Sequence, residues 1–178
     1  MSSVDGHAAR LVKFDVLDDR GWLRLQCWLP EHRAGARAVM LRGRELPLCV
    51  GSSLARDWRA LCLGPADWLI VADAHTIPHI REELASERAQ QGIALVELTH
   101  AFITLEVVGP AARDLLSKGC GVDLHPRNFA PRQCTRTRFA QIPMIIECTD
   151  ESRFELSVAR SYLSYLRSWL ADAAGEFL

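Results

Sequence analysis

The sequence lacks the short motifs that mark common catalytic and nucleotide sites. It has no Gly-x-Ser-x-Gly elbow for a serine nucleophile. It also has no Gly-x-x-x-x-Gly-Lys-Ser/Thr phosphate loop, and no Gly-x-Gly-x-x-Gly after a strand. Gly119-Cys120-Gly121 comes nearest, but it follows a predicted helix instead of opening one, which reverses the geometry that binds a phosphate. Motifs therefore nominate neither a nucleophile nor a phosphate site.

Paired cysteines, long apolar runs and excess charge are missing as well. None of the six cysteines forms a Cys-x-x-Cys pair, so we predict reduced thiols, with Cys27, Cys62 and Cys148 in apolar strands. No apolar run approaches the roughly 18 residues of a membrane helix, and no apolar N-terminal segment resembles a secretory signal. A net charge of −1 gives no reason to bind nucleic acid. We therefore expect a cytoplasmic protein.

The length and composition are those of an ordinary globular chain. It has 178 residues, of which 49% are hydrophobic and 24% charged. Residues 1–20 are polar, and we predict a frayed or loosely docked N-terminal segment. Residues 21–178 are predicted to form a single globular domain built of two halves, about 21–92 and 93–178.

Strand and helix patterns recur in both halves. Period-two alternation or apolar runs predict strands at 22–29, 58–63, 68–72, 93–98, 102–107, 135–141, 144–148 and 154–158. Helical spacing and end signals predict helices at 34–41, 76–91, 110–118 and 161–174. Residues 47–53 are predicted to be a loop. The turn Gly64-Pro65-Ala66-Asp67 predicts a hairpin between 58–63 and 68–72.

An internal repeat relates the two halves. An offset of 76 (119 − 43) links Leu29/Leu105, Arg37/Arg113, Gly43/Gly119 and Leu48/Leu124. An offset of 86 (154 − 68) links Trp68/Phe154, Ile80/Leu166, Arg81/Arg167 and Leu84/Leu170. The second half is thus predicted to repeat the first, with ten residues (86 − 76) inserted after the loop at 123–126. The predicted class is α+β, two similar halves with helices packed on largely antiparallel sheets.

Residues 109–129 combine a strand exit, a short helix and a tight polar loop. Pro110 suits the first helical turn, and Gly119 is predicted to be the left-handed residue that ends the helix after Lys118. The loop that follows is the candidate structural or interface site. Its candidate residues are Gly119, Cys120, Asp123, Leu124, His125 and Pro126.

The loop leaves two chemical interpretations open. Asp123 and His125 are compatible with an acid–base pair. Alternatively, Asp123 accepts hydrogen bonds from loop amides while His125, restrained by Pro126, bonds to backbone, which we favour. Cys120 is either a thiolate activated by Lys118 or His125, or a small residue in a tight turn. The loop itself is either a brace for the sheet or an interface element, and we lean towards the brace.

Two further clusters have functional alternatives. Cys120, His125 and Cys134 could converge on a metal ion, although their spacing is not that of common zinc sites. A basic run contains Arg127, Arg132, Arg136 and Arg138. Aromatic residues are sparse around it, so a protein partner with an acidic face suits it better than nucleic acid. Separately, the candidate aromatic anchors for a stable interface with a protein partner are Trp22, Trp28, Trp58, Tyr162 and Trp169.

Four stretches carry a resemblance to a known family. They are Leu63-Gly64-Pro65-Ala66-Asp67-Trp68-Leu69-Ile70; Leu115-Leu116-Ser117-Lys118-Gly119-Cys120-Gly121-Val122-Asp123-Leu124-His125-Pro126 with Phe129; Cys134 with Thr137 and Ala140; and Val158-Ala159-Arg160-Ser161-Tyr162 with Tyr165-Leu166 and Trp169-Leu170. The Lys-Gly-Cys and Asp-Leu-His-Pro strings are the most specific. Over residues 57–177 the sequence resembles the gamma subunit family of heterotetrameric sarcosine oxidase.

The resemblance implies a fold and a role. The fold would be like the folate-binding domain of the aminomethyltransferases, and the chain would be a structural subunit without catalytic residues, cofactor sites or metal sites. In the family's complex a beta subunit carries flavin and oxidises sarcosine, an alpha subunit binds NAD and tetrahydrofolate, and a delta subunit binds zinc. The expected partners are these subunits, which would hold FAD, FMN, NAD, tetrahydrofolate and zinc. The complex converts sarcosine to glycine, produces hydrogen peroxide and transfers a one-carbon unit to tetrahydrofolate.

Two positions depart from the family pattern, and two other functions stay open. Arg132 stands where the family has glycine, two residues before Cys134, so a left-handed loop is expected to be reshaped. Leu163 stands where alanine is favoured, and it can be buried only among smaller neighbours. The main alternative function is a stand-alone folate-dependent methyl-transfer enzyme, which would need an acidic residue for the pterin and a large pocket. The other is a free-standing homo-oligomer.

Overall fold

Two five-stranded sheets dominate the part of the chain that the structure, a computed structural model, describes: residues 11–28, 39–55, 57–85 and 92–177. The strands are β1 (Lys13–Leu17), β2 (Arg20–Cys27), β3 (Met40–Leu41), β4 (Arg44–Glu45), β5 (Ser53–Ala55), β6 (Trp58–Gly64), β7 (Asp67–Asp73), β8 (Ile93–Glu97), β9 (Phe102–Val108), β10 (Gln133–Phe139), β11 (Ile142–Asp150) and β12 (Arg153–Ala159). The α-helices of these ranges are α1 (Ile77–Ala85), α2 (Ala112–Ser117) and α3 (Leu163–Ala173), with short 3-10 turns on either side of α3.

Both sheets are antiparallel and share one plan. The first has the order β5-β6-β7-β2-β8, the second β10-β11-β12-β9-β1, and β3 with β4 forms a separate ribbon. The predicted α+β class with largely antiparallel sheets is therefore confirmed.

The internal repeat appears in strand register at the offset of 86. Cys62 faces Trp68 across the β6–β7 hairpin, and Cys148 faces Phe154 across the β11–β12 hairpin. Both hairpins contain a register shift immediately beyond the cysteine, between Cys62 and Gly64 and between Cys148 and Asp150. The helices α1 and α3, which begin at residues 77 and 163, have the same offset. A shared bulge at a shared position indicates duplicated structure.

The offset of 76 does not hold in the preceding strand. Trp68 pairs with Leu25, whereas Phe154 pairs with Val107, so the offset between β2 and β9 is 82 (107 − 25). The second half is therefore longer here by four residues (86 − 82), not by ten. Leu29 and Arg37, which helped to suggest 76, lie outside the described residues.

The two sheets exchange their edge strands. β1 pairs with β9 in the second sheet, although it precedes the whole first sheet in the chain. β8 pairs with β2 in the first sheet, although it follows α1. The prediction of a frayed or loosely docked N-terminus is therefore wrong for Lys13–Leu17. The limits 21–92 and 93–178 stay a prediction, but by hydrogen bonding β8 belongs to the first sheet.

Most other predicted elements are present. Residues 22–29 correspond to β2, and the hairpin around residues 64–67 is confirmed as β6–β7. The helix predicted at 76–91 begins at Ile77 and is described to Ala85, with 86–91 outside the described residues. The helix predicted at 34–41 is wrong at its end, where Met40–Leu41 is a strand, and residues 34–38 are not described.

Within the described ranges, three apolar cores hold these layers together. In β2, alternation sends Leu23, Leu25 and Cys27 towards α1 and Trp22 towards the second sheet. The helices α2 and α3 cover the outer face of the second sheet. The core between the sheets contains Trp22, Leu61, Leu69, Val71, Cys134 and Ile145. Burying each of the aliphatic side chains fully stabilises the fold by about 1.5–3 kcal/mol. Because the core between the sheets takes side chains from both, the two halves pack against each other as layers.

Candidate functional site

The candidate loop begins at Gly119, directly after α2 and Lys118. Gly119 is not left-handed, so that prediction is wrong. Glycine is required at this position because there is no room for a side chain. An added Cβ would lie 2.8 Å from ring atoms of both Phe139 and Trp169. These two rings meet edge to face with centroids 4.7 Å apart. The loop therefore starts where α2 passes closely over an aromatic pair joining β10 to α3.

Arg113 on α2 holds the far side of the loop. Its Nη1 donates to the carbonyl oxygens of Leu124 and Phe129, the latter at 2.8 Å. Its Nε donates to the Glu151 carbonyl oxygen at 3.1 Å, and its guanidinium lies 4.9 Å from the Phe154 ring centroid. No motif marks this arginine beyond its place in the repeat, because its partners are backbone carbonyls.

The polar side chains of the loop bond to the loop itself. Asp123 Oδ1 accepts from the His125 N–H at 2.9 Å, and its Oδ2 accepts from Asn128 Nδ2 at 2.5 Å. The backbone hydrogen bond from His125 and then the Asn128 amide lower the pKa of Asp123. His125 Nδ1 accepts from the Arg127 N–H at 3.2 Å. This is the predicted Asx-type arrangement, in which both side chains fix the turn.

Apolar groups anchor the same loop from below. Leu124 and Phe129 are buried in the core of the second sheet, while His125 and Pro126 are exposed above them. Cys120 is also buried, its backbone bridges to Phe139, and its Sγ lies 3.9 Å from Thr137 Oγ1. The buried cysteine matches the interpretation of a small residue in a tight turn.

The three residues considered as metal ligands, Cys120, His125 and Cys134, do not converge on one point. Cys120 faces Thr137, whereas the Cys134 thiol donates to the Ser52 carbonyl oxygen at 3.5 Å. Burial raises the pKa of Cys134 to about 12, which disfavours the thiolate that metals bind. Across the ranges that the structure describes, no three His, Cys, Asp or Glu side chains are grouped as a metal site would require.

The two departures from the family pattern have distinct outcomes. Arg132 itself adopts the left-handed backbone, with φ of 69°, so the expectation that a residue other than glycine reshapes this loop is wrong. Its N–H donates to Cys148 and its carbonyl accepts from Ser53, both at 2.8 Å, so the connection between the sheets is kept. Leu163 is half-buried against the core of the second sheet.

A charged cluster, the inter-sheet clamp, lies between the two sheets and consists of Arg59, Glu147 and Glu155. Arg59 Nη1 donates to Glu155 Oε1 at 2.8 Å, and its Nη2 contacts the other Glu155 oxygen. Arg59 Nε lies 3.3 Å from Glu147 Oε2. Glu147 and Glu155 are only 3% and 4% exposed. A glutamate inside each apolar strand run was the available sequence signal for this clamp.

Burial controls the charges of the clamp. It raises the pKa of Glu147, against the attraction of Arg59, and the neighbouring Glu155 charge raises it further. Burial also disfavours the charged form of Arg59, but the Glu155 hydrogen bond and the charge of Glu147 outweigh it and raise its pKa. Arg20 of β2 also contacts the cluster, with its Nη2 3.6 Å from Glu155 Oε1. Two guanidinium groups from the first sheet therefore face the two carboxylates from the second, which ties the halves together.

Comparison with known proteins identifies relatives of this arrangement. Residues 32–176 match the model of the sarcosine oxidase gamma subunit family. The sarcosine oxidase subunit gamma of Corynebacterium sp. (strain U-96) is 30% identical over 152 residues, covering 84% of this chain and 73% of that one.

Two of the solved structures that are similar in fold illustrate the relationship. One is the heterotetrameric sarcosine oxidase of Corynebacterium sp. U-96 with pyrrole 2-carboxylate, in which one chain matches with a TM-score of 0.83 and 27% identity, covering 96% of this chain and 87% of that chain. The other is aminomethyltransferase T of the glycine cleavage system from Bartonella henselae, with a TM-score of 0.68 and 16% identity over 92% of this chain and 46% of that one. The resemblance deduced from the four sequence stretches is confirmed, and the chain belongs to the gamma subunit family of sarcosine oxidase.

Proposed function

We propose that this chain is a structural, non-catalytic subunit of a heterotetrameric sarcosine oxidase. The observation that carries the proposal is the bonding within the candidate loop. Asp123 and His125 are the candidate acid–base pair of this loop. Their side chains accept hydrogen bonds from the loop's own backbone and from Asn128. Arg113 binds the loop's carbonyl oxygens. These hydrogen bonds hold the loop, and with it α2, against the second sheet, which is a structural role.

The remaining parts of the proposal concern the complex. Partner alpha, beta and delta subunits carry the cofactors, namely FAD, FMN, NAD, tetrahydrofolate and zinc. Together they oxidise sarcosine to glycine, reduce oxygen to hydrogen peroxide and transfer the one-carbon unit to tetrahydrofolate. The complex works in the cytoplasm. The described residues contain no helix that is long and apolar enough to cross a membrane.

Co-purification tests the proposal. The tagged chain is expressed with the alpha, beta and delta subunits of its own source, and the eluate is assayed for flavin absorbance and sarcosine-dependent peroxide. We expect a yellow, active complex in which this chain is stoichiometric. The proposal fails if the chain elutes alone while the other subunits assemble and work without it. Tetrahydrofolate binding by the isolated chain, measured by calorimetry, would then favour the stand-alone enzyme.

A further inference from the structure

A cleft opens between the two sheets beside their shared core. We call it the inter-sheet cleft; its volume is about 460 Å³. Its apolar wall comes from both sheets and includes Leu63, Leu69, Phe102, Met144 and Ile145. A concave apolar site of this size can bury several side chains of a bound molecule. The residues of the inter-sheet clamp and of the candidate loop do not line this cleft, so the roles described for them leave it unused.

Two arginines at the rim of the cleft share one carboxylate. Arg24 Nε and Nη2 each donate to a different oxygen of Asp67 at 3.0 Å. Arg136 Nη1 lies 3.1 Å from Asp67 Oδ2. The hydrogen bond to Asp67 raises the pKa of Arg24, so Arg24 keeps its positive charge. The three groups together carry one positive charge, at the edge of an apolar site.

Arg136 is the arginine that can change partner. Its side chain is 45% exposed, whereas that of Asp67 is 13% exposed. Because Arg24 already satisfies both oxygens of Asp67, Arg136 can turn to a new carboxylate without leaving Asp67 unpaired. A guanidinium binds a carboxylate through a fork of two parallel hydrogen bonds, which gives direction as well as attraction.

Exposed apolar groups continue from the cleft along the first sheet. Alternation along β2 places Trp28, just beyond the strand, on the same face as Arg24. Arg24 pairs in register with Val96 on the edge strand β8. Trp28 is 59% exposed and Val96 49% exposed. Of the predicted aromatic anchors, Trp22 and Trp58 are buried in the cores, whereas Trp28 is free to contact a partner.

We propose that the inter-sheet cleft binds an extended segment of a partner subunit that carries an apolar side chain beside an aspartate or glutamate. The apolar side chain enters the cleft, the carboxylate binds Arg136, and the rest of the segment covers Trp28 and Val96. This inference rests on the proposed function, because it supplies the docking site by which the subunit would join its complex. Charge complementarity selects an acidic segment over a basic or neutral one.

A charge-reversal pair tests the docking site in the co-expressed complex. Arg136→Glu places an acid at the cleft rim. Arg138→Glu makes the same change two residues further along β10, at an exposed arginine that donates to the Gln141 carbonyl oxygen. We expect Arg136→Glu to lower the flavin captured per tagged chain about tenfold, and Arg138→Glu by less than about twofold. Equal capture by both variants and the wild type would overturn the docking site.

Photo-crosslinking keeps the test decisive if Arg136→Glu impairs folding. Leu63 is replaced by p-benzoylphenylalanine, and the intact complex is irradiated and sequenced by mass spectrometry. We expect crosslinks to a partner segment with Asp or Glu within about three residues, roughly 10 Å along an extended chain. Crosslinks to a second copy of this chain, to a segment without acids, or none at all would overturn the inference. If wild-type chain captures no flavin, the proposed function itself fails, which separates the two outcomes.

Discussion

Arg24 donates two hydrogen bonds of 3.0 Å to Asp67 across β2 and β7, and the second sheet contains the same pair with its charges reversed. The equivalent positions, at offsets of 82 and 86, are Glu106 (24 + 82) and Arg153 (67 + 86). These two residues are joined by an ion pair across β9 and β12. The attraction has thus been kept in both halves while donor and acceptor have changed places.

Swapping the charges of the second pair should test this equivalence. Glu106→Arg or Arg153→Glu alone creates a like-charge contact, so each should lower the free energy of unfolding by about 1 kcal/mol. The double variant restores an ion pair and should recover most of that loss. Urea denaturation of the four proteins measures the cycle. Additive losses in the double variant would contradict a direct interaction.

Neutralising each of the two glutamates of the inter-sheet clamp should change the free energy of unfolding by a different amount. Glu155→Gln breaks the two-pronged contact with Arg59 and leaves this largely buried guanidinium with Glu147 alone, so we expect a loss of about 3 kcal/mol. Glu147→Gln removes the carboxylate whose pKa burial raises and leaves the Glu155 contact intact, so it should cost less than about 1 kcal/mol. Chemical denaturation at neutral pH compares them, and equal losses would contradict this division of roles.

The pH dependence of Glu147→Gln follows from the same raised pKa. Between the unfolded and the higher folded pKa, the folded wild type holds more protons than the unfolded chain. Its stability therefore falls as pH rises through that window. The amide does not titrate, so the stability of the variant relative to wild type should increase from about pH 4 upwards. A pH-independent difference would mean that Glu147 has an ordinary pKa.

Two glycines of the candidate loop provide a matched pair. Gly119→Ala puts a methyl group 2.8 Å from the Phe139 and Trp169 rings and should destabilise the chain by about 2 kcal/mol. Gly121→Ala meets no atom within 4 Å and should change stability by less than about 0.5 kcal/mol. Thermal unfolding distinguishes them. Similar melting temperatures for the two variants would disprove the close packing at Gly119.

The bracing role of Arg113 should be visible in hydrogen exchange. Arg113→Lys keeps the positive charge over Phe154, but a lysine cannot donate from a planar fork to several carbonyl oxygens. Amides of residues 123–129 should therefore exchange about tenfold faster, while those of β6 and β7 serve as the internal control. Unchanged exchange in the loop would show that Leu124 and Phe129 anchor it without the arginine.

Local chemistry explains why some features were predictable. The β6–β7 hairpin follows from apolar runs around a four-residue turn, and the bonding of Asp123 and His125 follows from spacing and the following proline. The family followed from contiguous strings of residues. Each of these signals lies within a few neighbouring positions, where sequence patterns are informative.

Features that depend on distant contacts could not be deduced in this way. β1 alternates polar and apolar residues over Lys13–Val16, but so short a pattern does not indicate that its partner is β9. Gly119 has the usual position of a left-handed helix end, but its neighbours Phe139 and Trp169 are 20 and 50 residues away (139 − 119 and 169 − 119). Arg59 meets its glutamates only after the two sheets have packed.

The exchange of edge strands has a consequence for synthesis on the ribosome. β1 leaves the ribosome early, yet its partner β9 follows 87 to 95 residues later (104 − 17 and 108 − 13). At about 5–20 residues per second, that delay is about 4 to 19 seconds. The first sheet can close with β8 before then, whereas β1 must wait unpaired, with Phe14 and Val16 not yet covered by the core of the second sheet. The second sheet therefore stays incomplete until β9 has been made, while the first sheet needs only strands that precede β9.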